Sequence, residues 1–204
     1  MQNVKNIIFD LGGVFISIDY ARTLKAFTDL HVEDFNSYYT QSHVSDLFNL
    51  LETGKLNANK FFESFRNHTN TTLDDGQITD SWNALLGSFY LDRLDWLNSI
   101  RHKYKVFLLS NTNIIHHKAF TKIYQQQTGK TNFDDYFLKA YYSHNIGLRK
   151  PHLEAYQYVL NEQDLQAAES LFIDDTLPNI EGAQKAGLQT IHLLPSVSLL
   201  HLGL

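Results

Sequence analysis

The chain contains no cysteine. That excludes disulfides, thiolate zinc sites and cysteine nucleophiles at once. It has no excess of basic residues either: 17 Lys and Arg stand against 22 Asp and Glu, a net charge of -5. A nucleic-acid partner is therefore not expected, because phosphate backbones select basic faces and no basic cluster is present. No apolar run approaches the roughly 20 residues of a membrane span. No basic, apolar and small-residue leader pattern opens the sequence, and the expectation is a cytoplasmic protein without a membrane partner. Internal repeats and low-complexity tracts are also missing. What remains is a soluble, globular composition, 43% hydrophobic and 19% charged over 204 residues. That length suits one α/β domain, with or without a small inserted partner, and an ample core.

Five short apolar runs stand out, at residues 7–9, 106–109, 137–142, 171–173 and 190–194. Stretches with helical spacing separate the later ones, at 91–104, 114–127, 151–161 and 180–186. Strands alternating with helices imply parallel βαβ units with right-handed crossovers. The fold class expected is therefore α/β, a doubly wound, Rossmann-like parallel sheet. The first gap breaks the rhythm. Between the first and second runs lie nearly a hundred residues, and positions 19–86 read as helical almost throughout. Helices are expected at 20–30, 32–41, 45–52, 57–67 and 75–86. The division expected is a core of residues 1–18 and 87–204 with a helical insertion at 19–86.

The residues able to do chemistry follow the strand runs. Asp10 ends the first and runs into the Gly12-Gly13 pair, where a bare backbone permits close approach. Ser110 and Asn111 follow the second run, Lys150 follows the third by a loop, and Asp174 and Asp175 follow the fourth. In an open parallel sheet the carboxyl ends of the strands share one edge, where ligands bind. The gathering is three carboxylates, a hydroxyl, a lysine and a glycine turn. Magnesium favours carboxylate and carbonyl oxygens. Phosphate favours lysine, hydroxyl and backbone N–H groups. A carboxylate can itself attack phosphorus, provided positive charge offsets the repulsion of two anions.

Taken in order, Asp10-Leu11-Gly12-Gly13-Val14, Leu108-Leu109-Ser110-Asn111-Thr112, Arg149-Lys150-Pro151 and Phe172-Ile173-Asp174-Asp175 resemble the four motifs of the haloacid dehalogenase-like hydrolases. The resemblance spans nearly the whole chain, including a helical cap after the first motif. It is similar above all to the subgroup containing bacterial α-D-glucose-1-phosphate phosphatase, which also has glycine two past the nucleophile. The resemblance implies a magnesium-dependent phosphatase of a small phosphorylated metabolite, as monomer or homodimer, with strand order 5-4-1-2-3. Asp10 would be the nucleophile. Lys150 would bind phosphate and restrain Asp10. Ser110, the N–H of Asn111 and the Gly12-Gly13 turn would hold phosphate. Asp10, the carbonyl of Gly12, Asp174 and Asp175 would hold Mg2+, with Asn179 no closer than one shell out.

One position departs from the pattern. The family motif usually carries a second aspartate where Gly12 stands, and that residue protonates the leaving oxygen. Its loss predicts a bias toward esters with acidic leaving hydroxyls, or a substitute acid from Asp19, the cap or the substrate. It also counts against a phosphomutase. Two rival readings follow: a metal-independent 2-haloacid dehalogenase, and a degenerate member that only binds a phosphorylated ligand. The ten histidines, His116 and His117 among them, show no ligand spacing. Phe61, Phe62 and Phe65 read as core.

Overall fold

The computed structural model describes residues 3–41 and 43–204. The first two residues of the segment searched for a leader lie outside the described residues. The central strand β1 (Asn6–Phe9) pairs in parallel with β4 (Lys105–Ser110) on one side and β6 (Ser170–Asp174) on the other. Strand β5 (Lys139–Tyr142) flanks β4, and β7 (Gln189–His192) flanks β6. The order β5-β4-β1-β6-β7 is the expected one, and the fold is the expected α/β class. Ile7, Ile8 and Phe9 are all fully buried. A central parallel strand is covered on both faces, so it reads as a continuous apolar run rather than an alternating one.

Helices α5 (Leu91–Ile100), α6 (Ile114–Thr128), α7 (Ser143–Ile146), α8 (Leu153–Glu162) and α9 (Leu177–Lys185) make the crossovers. Their starts are set by local chemistry. Asn113 caps α6 by accepting from the N–H groups of Ile115 and His116, while Pro178 sits in the first turn of α9.

A two-stranded antiparallel ribbon stands beside the sheet. It joins β2 (Ile16–Ile18) to β3 (Leu86–Phe89), and neither strand was expected. Between them run α1 (Tyr20–Asp29), α2 (Asp46–Glu52), α3 (Ala58–Thr69) and α4 (Asp75–Asn83). The helix expected over 75–86 stops at Asn83 because Leu86 pairs with Ile18. The helix expected over 32–41 does not form. His31 and Asp34 adopt left-handed backbone (φ 61° and 49°), which ends any helical run, and only a 3-10 turn at Phe35–Ser37 survives. Tyr39 instead bridges antiparallel to Val44.

These four helices close on an aromatic cluster. Phe27 stacks on Phe35 with centroids 4.4 Å apart, and Phe48 meets Trp82 at 4.7 Å. Each such pair contributes about 0.5–1.5 kcal/mol beyond its area burial. Phe61, Phe62 and Phe65 are buried here, as expected. His116, on α6, stacks on Trp82 at 4.4 Å and is core rather than surface. Among the described residues no helix is long and apolar enough to cross a membrane.

Candidate active site

Strand β1 ends by presenting Asp10 at the carboxyl edge of the sheet. Strand β4 brings Ser110 and Asn111 there, and β6 brings Asp174 and Asp175. The loop between α7 and α8 brings Lys150. These candidates thus arrive at one crevice, Asp19 excepted. Its cavity measures about 730 Å³ and is lined by Asp10, Gly12, Gly13, Ser110, Lys150 and Asp175 among others.

Lys150 is the hub. Its Nζ donates to Asp10 Oδ1 and to Asp174 Oδ2, both at 2.7 Å, with all three side chains buried. Burial alone would push the lysine's pKa down; the two carboxylates more than offset this and hold it above its ordinary value. The same burial raises Asp10 to about 7, Lys150 opposing and Asp174 and Asp175 reinforcing the shift. Asp175 is raised as well, by burial and then by Asp174. Ligand oxygens of Asp10, Asp174 and Asp175 lie within 4.8 Å of one another. Three carboxylates around one lysine leave an excess of buried negative charge, and a divalent cation is what such a donor set fits.

The two neighbouring aspartates are not equivalent. Asp174 is saturated: besides Lys150 it accepts from the Thr176 N–H at 2.8 Å and from Asn179 Nδ2 at 3.2 and 3.0 Å. The Asp175 carboxylate accepts from the Thr176 hydroxyl, at 3.0 Å, and is otherwise open to the cavity. Gly13 is required beside it. Its φ is +67°, and a Cβ there would overlap the Asp175 carboxylate. The hydroxyl of Ser110 has no partner among the described residues and is free to meet a ligand.

Other contacts at the site escaped the sequence reading. The side chain of Asn111 grips the backbone of Lys150 in both directions, Nδ2 donating to its carbonyl at 2.8 Å and Oδ1 accepting from its N–H at 2.9 Å. Arg93 donates to the carbonyls of Gly13 and Val14, at 2.8 and 2.6 Å, and pins the glycine turn. A buried pair crosses from the helices to the sheet: Arg149 Nε and Nη2 lie 3.0 and 2.9 Å from Glu52 Oε2, and Tyr39 donates to Glu52 Oε1 at 2.8 Å. Burial raises Glu52's pKa against the pull of Arg149. No local pattern reveals any of these, since each pair is joined only by the fold. Tyr20, Tyr39 and Glu52 line the far wall of the cavity. Asp19 does not. It caps α1, accepting from the Ala21 N–H at 3.0 Å, so its place as a substitute acid is not supported by the geometry.

A family model described as haloacid dehalogenase-like hydrolase matches residues 4–187. A D-ribitol-5-phosphate phosphatase of Bacteroides thetaiotaomicron is 30% identical over 188 residues, covering 92% of this chain and 90% of that protein. A crystal structure from the same organism shows an enzyme of this family, an aspartate-to-alanine variant, in complex with magnesium and inorganic phosphate. It superposes with a TM-score of 0.91 at 30% identity, over 98% of this chain and 99% of that one. A predicted hydrolase of the family from Porphyromonas gingivalis gives 0.86 at 26% identity, over 96% and 94%. The chain belongs to the haloacid dehalogenase-like hydrolases.

Proposed function

We propose that this protein hydrolyses a small phosphate monoester, a sugar or sugar-alcohol phosphate, with magnesium as cofactor and Asp10 as nucleophile. One observation carries the reading: Asp10 is held by a buried Lys150 that also holds Asp174, within reach of Asp175 and the open Ser110 hydroxyl. The similarity to a sugar-alcohol phosphate phosphatase, and to a family structure holding magnesium and phosphate, supports the same class.

Asp10 attacks phosphorus and forms an aspartyl-phosphate, the leaving oxygen departing with the bond's electrons; water then cleaves the aspartyl-phosphate. Lys150 orients the attacking carboxylate and offers charge to the phosphate oxygens, and Ser110 with the Asn111 N–H binds them. Asp10, Asp175 and the Gly12 carbonyl would hold magnesium, with Asp174 beside them as partner. When bound, the ion supplies the positive charge that two approaching anions need.

Residues 19–86 act as a cap in this reading. The β2–β3 ribbon is where such a cap would join the core, and the Glu52–Arg149 pair ties the two across the cavity. Cap opening would admit substrate and closure would exclude water.

The test is phosphate release from a panel of metabolite esters, with magnesium and with EDTA, beside Asp10→Asn. Release that needs magnesium and vanishes in Asp10→Asn is expected. Activity surviving the substitution refutes the mechanism. Turnover of 2-haloacids unaffected by EDTA would favour a dehalogenase. Silence across the panel would favour a ligand-binding role.

A further inference from the structure

In the phosphatase mechanism the leaving oxygen has no assigned proton donor. At position 12 there is no side chain, and the space is tight: a Cβ on Gly12 would meet Ile18 Cγ1 at 3.1 Å, so that Ile18 would have to yield, while lying 3.9 Å from Asp10 Oδ2. An apolar group thus stands where an acid would begin.

Several donors on the wall are already committed, and the open Ser110 hydroxyl is assigned to phosphate. Arg93 is bound to two carbonyls and Arg149 to Glu52. Tyr39 donates to Glu52. The ring nitrogens of His116 lie 3.0 Å from the Trp82 carbonyl and 3.1 Å from Asn113 Nδ2. Tyr20 differs. Its side chain lines the cavity that holds Asp10, and its hydroxyl has no hydrogen-bond partner among the described residues. It is rigidly placed, as the first residue of α1 behind the Asp19 cap, with its ring 6.1 Å from that of Tyr39. The charges facing it are Asp175, Glu52, Asp10 and Asp174, all anionic. Burial and those carboxylates hold its pKa above the ordinary phenol value, so it is protonated when substrate binds.

Building on the phosphatase reading, we propose that the Tyr20 hydroxyl is the donor to the leaving oxygen, doing from α1 what residue 12 cannot do. As the Asp10 oxygen bonds to phosphorus and the ester P–O bond breaks, the leaving oxygen keeps the electron pair and takes the Tyr20 proton. The proton moves as the ester bond breaks, when the departing oxygen is most basic. In the second half, water attacks the aspartyl-phosphate, its proton returns to the Tyr20 oxygen, and the Asp10 carboxylate is released.

The experiment compares magnesium-loaded wild type and Tyr20→Phe on two esters, a sugar-alcohol phosphate and p-nitrophenyl phosphate, whose leaving group needs no proton. The expected result is a fall in kcat/KM of about 10²-fold on the alkyl ester, the range of general acid catalysis, and little change on the aryl ester. Inhibition by inorganic phosphate should be unaltered. Equal falls on both esters, or none on the alkyl ester, would overturn the assignment. Should Tyr20→Phe fold poorly, fluorotyrosine at position 20 keeps the shape and acidifies the phenol. A rate change confined to the alkyl ester then supports the proposal, and unchanged rates refute it. Wild type inactive on both esters would defeat the phosphatase reading itself, a separate outcome.

Discussion

Substituting Arg149 by Met should destabilise the protein through the carboxylate left behind. Glu52 has a side-chain exposure of 2% and Arg149 of 17%, so the pair is nearly dry. Removing one partner of a buried pair costs about 3–5 kcal/mol, because the other charge is stranded. The partial exposure of Arg149 and the surviving Tyr39 hydrogen bond, itself worth about 1 kcal/mol, place the loss near ~3 kcal/mol. The cost must also depend on pH. Glu52's pKa is already raised by burial in the intact protein, and loss of Arg149 removes the first opposing influence. A carboxyl whose folded pKa exceeds its unfolded one binds more protons in the native state. Its penalty is complete above the folded pKa and fades as pH falls toward the unfolded value. Denaturant unfolding at pH 8 and near pH 5 measures both effects. The Arg149→Met deficit should shrink at the lower pH. The double variant Glu52→Gln with Arg149→Met should recover to within about 1 kcal/mol of wild type, since a neutral buried pair carries no stranded charge. A deficit under about 1 kcal/mol that does not respond to pH would show that water screens the pair, and the dry-pair argument would be wrong.

Two further outcomes follow from the same electrostatics. Asp10→Asn, inactive on the proposed mechanism, should melt higher than wild type in magnesium-free buffer. Burial raises Asp10 to about 7, so at pH 8 the folded protein holds a charge it disfavours; a gain of 1 kcal/mol would be about 2–4 °C for a chain of this size. That gain should shrink below pH 6, where wild-type Asp10 is itself neutral, and a lower melting point at pH 8 would contradict the shift. Gly13→Ala meets both a left-handed backbone and the Asp175 carboxylate. It should cost about 1–3 kcal/mol and abolish stabilisation by magnesium in a thermal shift assay, whereas a retained magnesium shift would show that Asp175 is not needed for the ion.

The sequence announced the sheet because its middle strands are buried on both faces. Ile7, Phe107, Leu108 and Phe172 sit in unbroken apolar runs, and each run ends at the edge where a polar residue can face a ligand. Asp10, Ser110, Asp174 and Asp175 were legible for that reason; Lys150, on a loop, was legible only by its order between the second and fourth motifs. The β2–β3 ribbon was not, since three residues at Ile16–Ile18 carry too short a period to separate from the glycine turn before them. The missing helix at 32–41 failed differently. Val32 and Phe35 are buried at helical spacing, yet that spacing also serves a turn, and nothing local marks His31 and Asp34 as left-handed. The contacts from Asn111 to Lys150, Arg93 to Gly13 and Glu52 to Arg149 span 39, 80 and 97 residues. Only the tertiary fold brings them together.

The adjacent pair Asp174-Asp175 shows how far residue identity falls short of role. Both were nominated for the same ion from the same motif. Asp174 is the last residue of β6, with no exposed surface, and its oxygens are taken up by Lys150, Asn179 and the Thr176 N–H. Asp175 lies one residue beyond the strand, opens on the cavity beside Gly13, and keeps most of its acceptor capacity. The first therefore suits an anion that anchors Lys150 against Asp10, and the second an oxygen offered to a cation. An anchor whose donors come from the protein can hold the lysine before any ligand arrives. An open carboxylate one residue away cannot, because its charge is uncompensated until a cation meets it. Two identical side chains thus divide a fixed charge from an available one. The division arises where the chain leaves the sheet, between the final residue of β6 and the first residue past it.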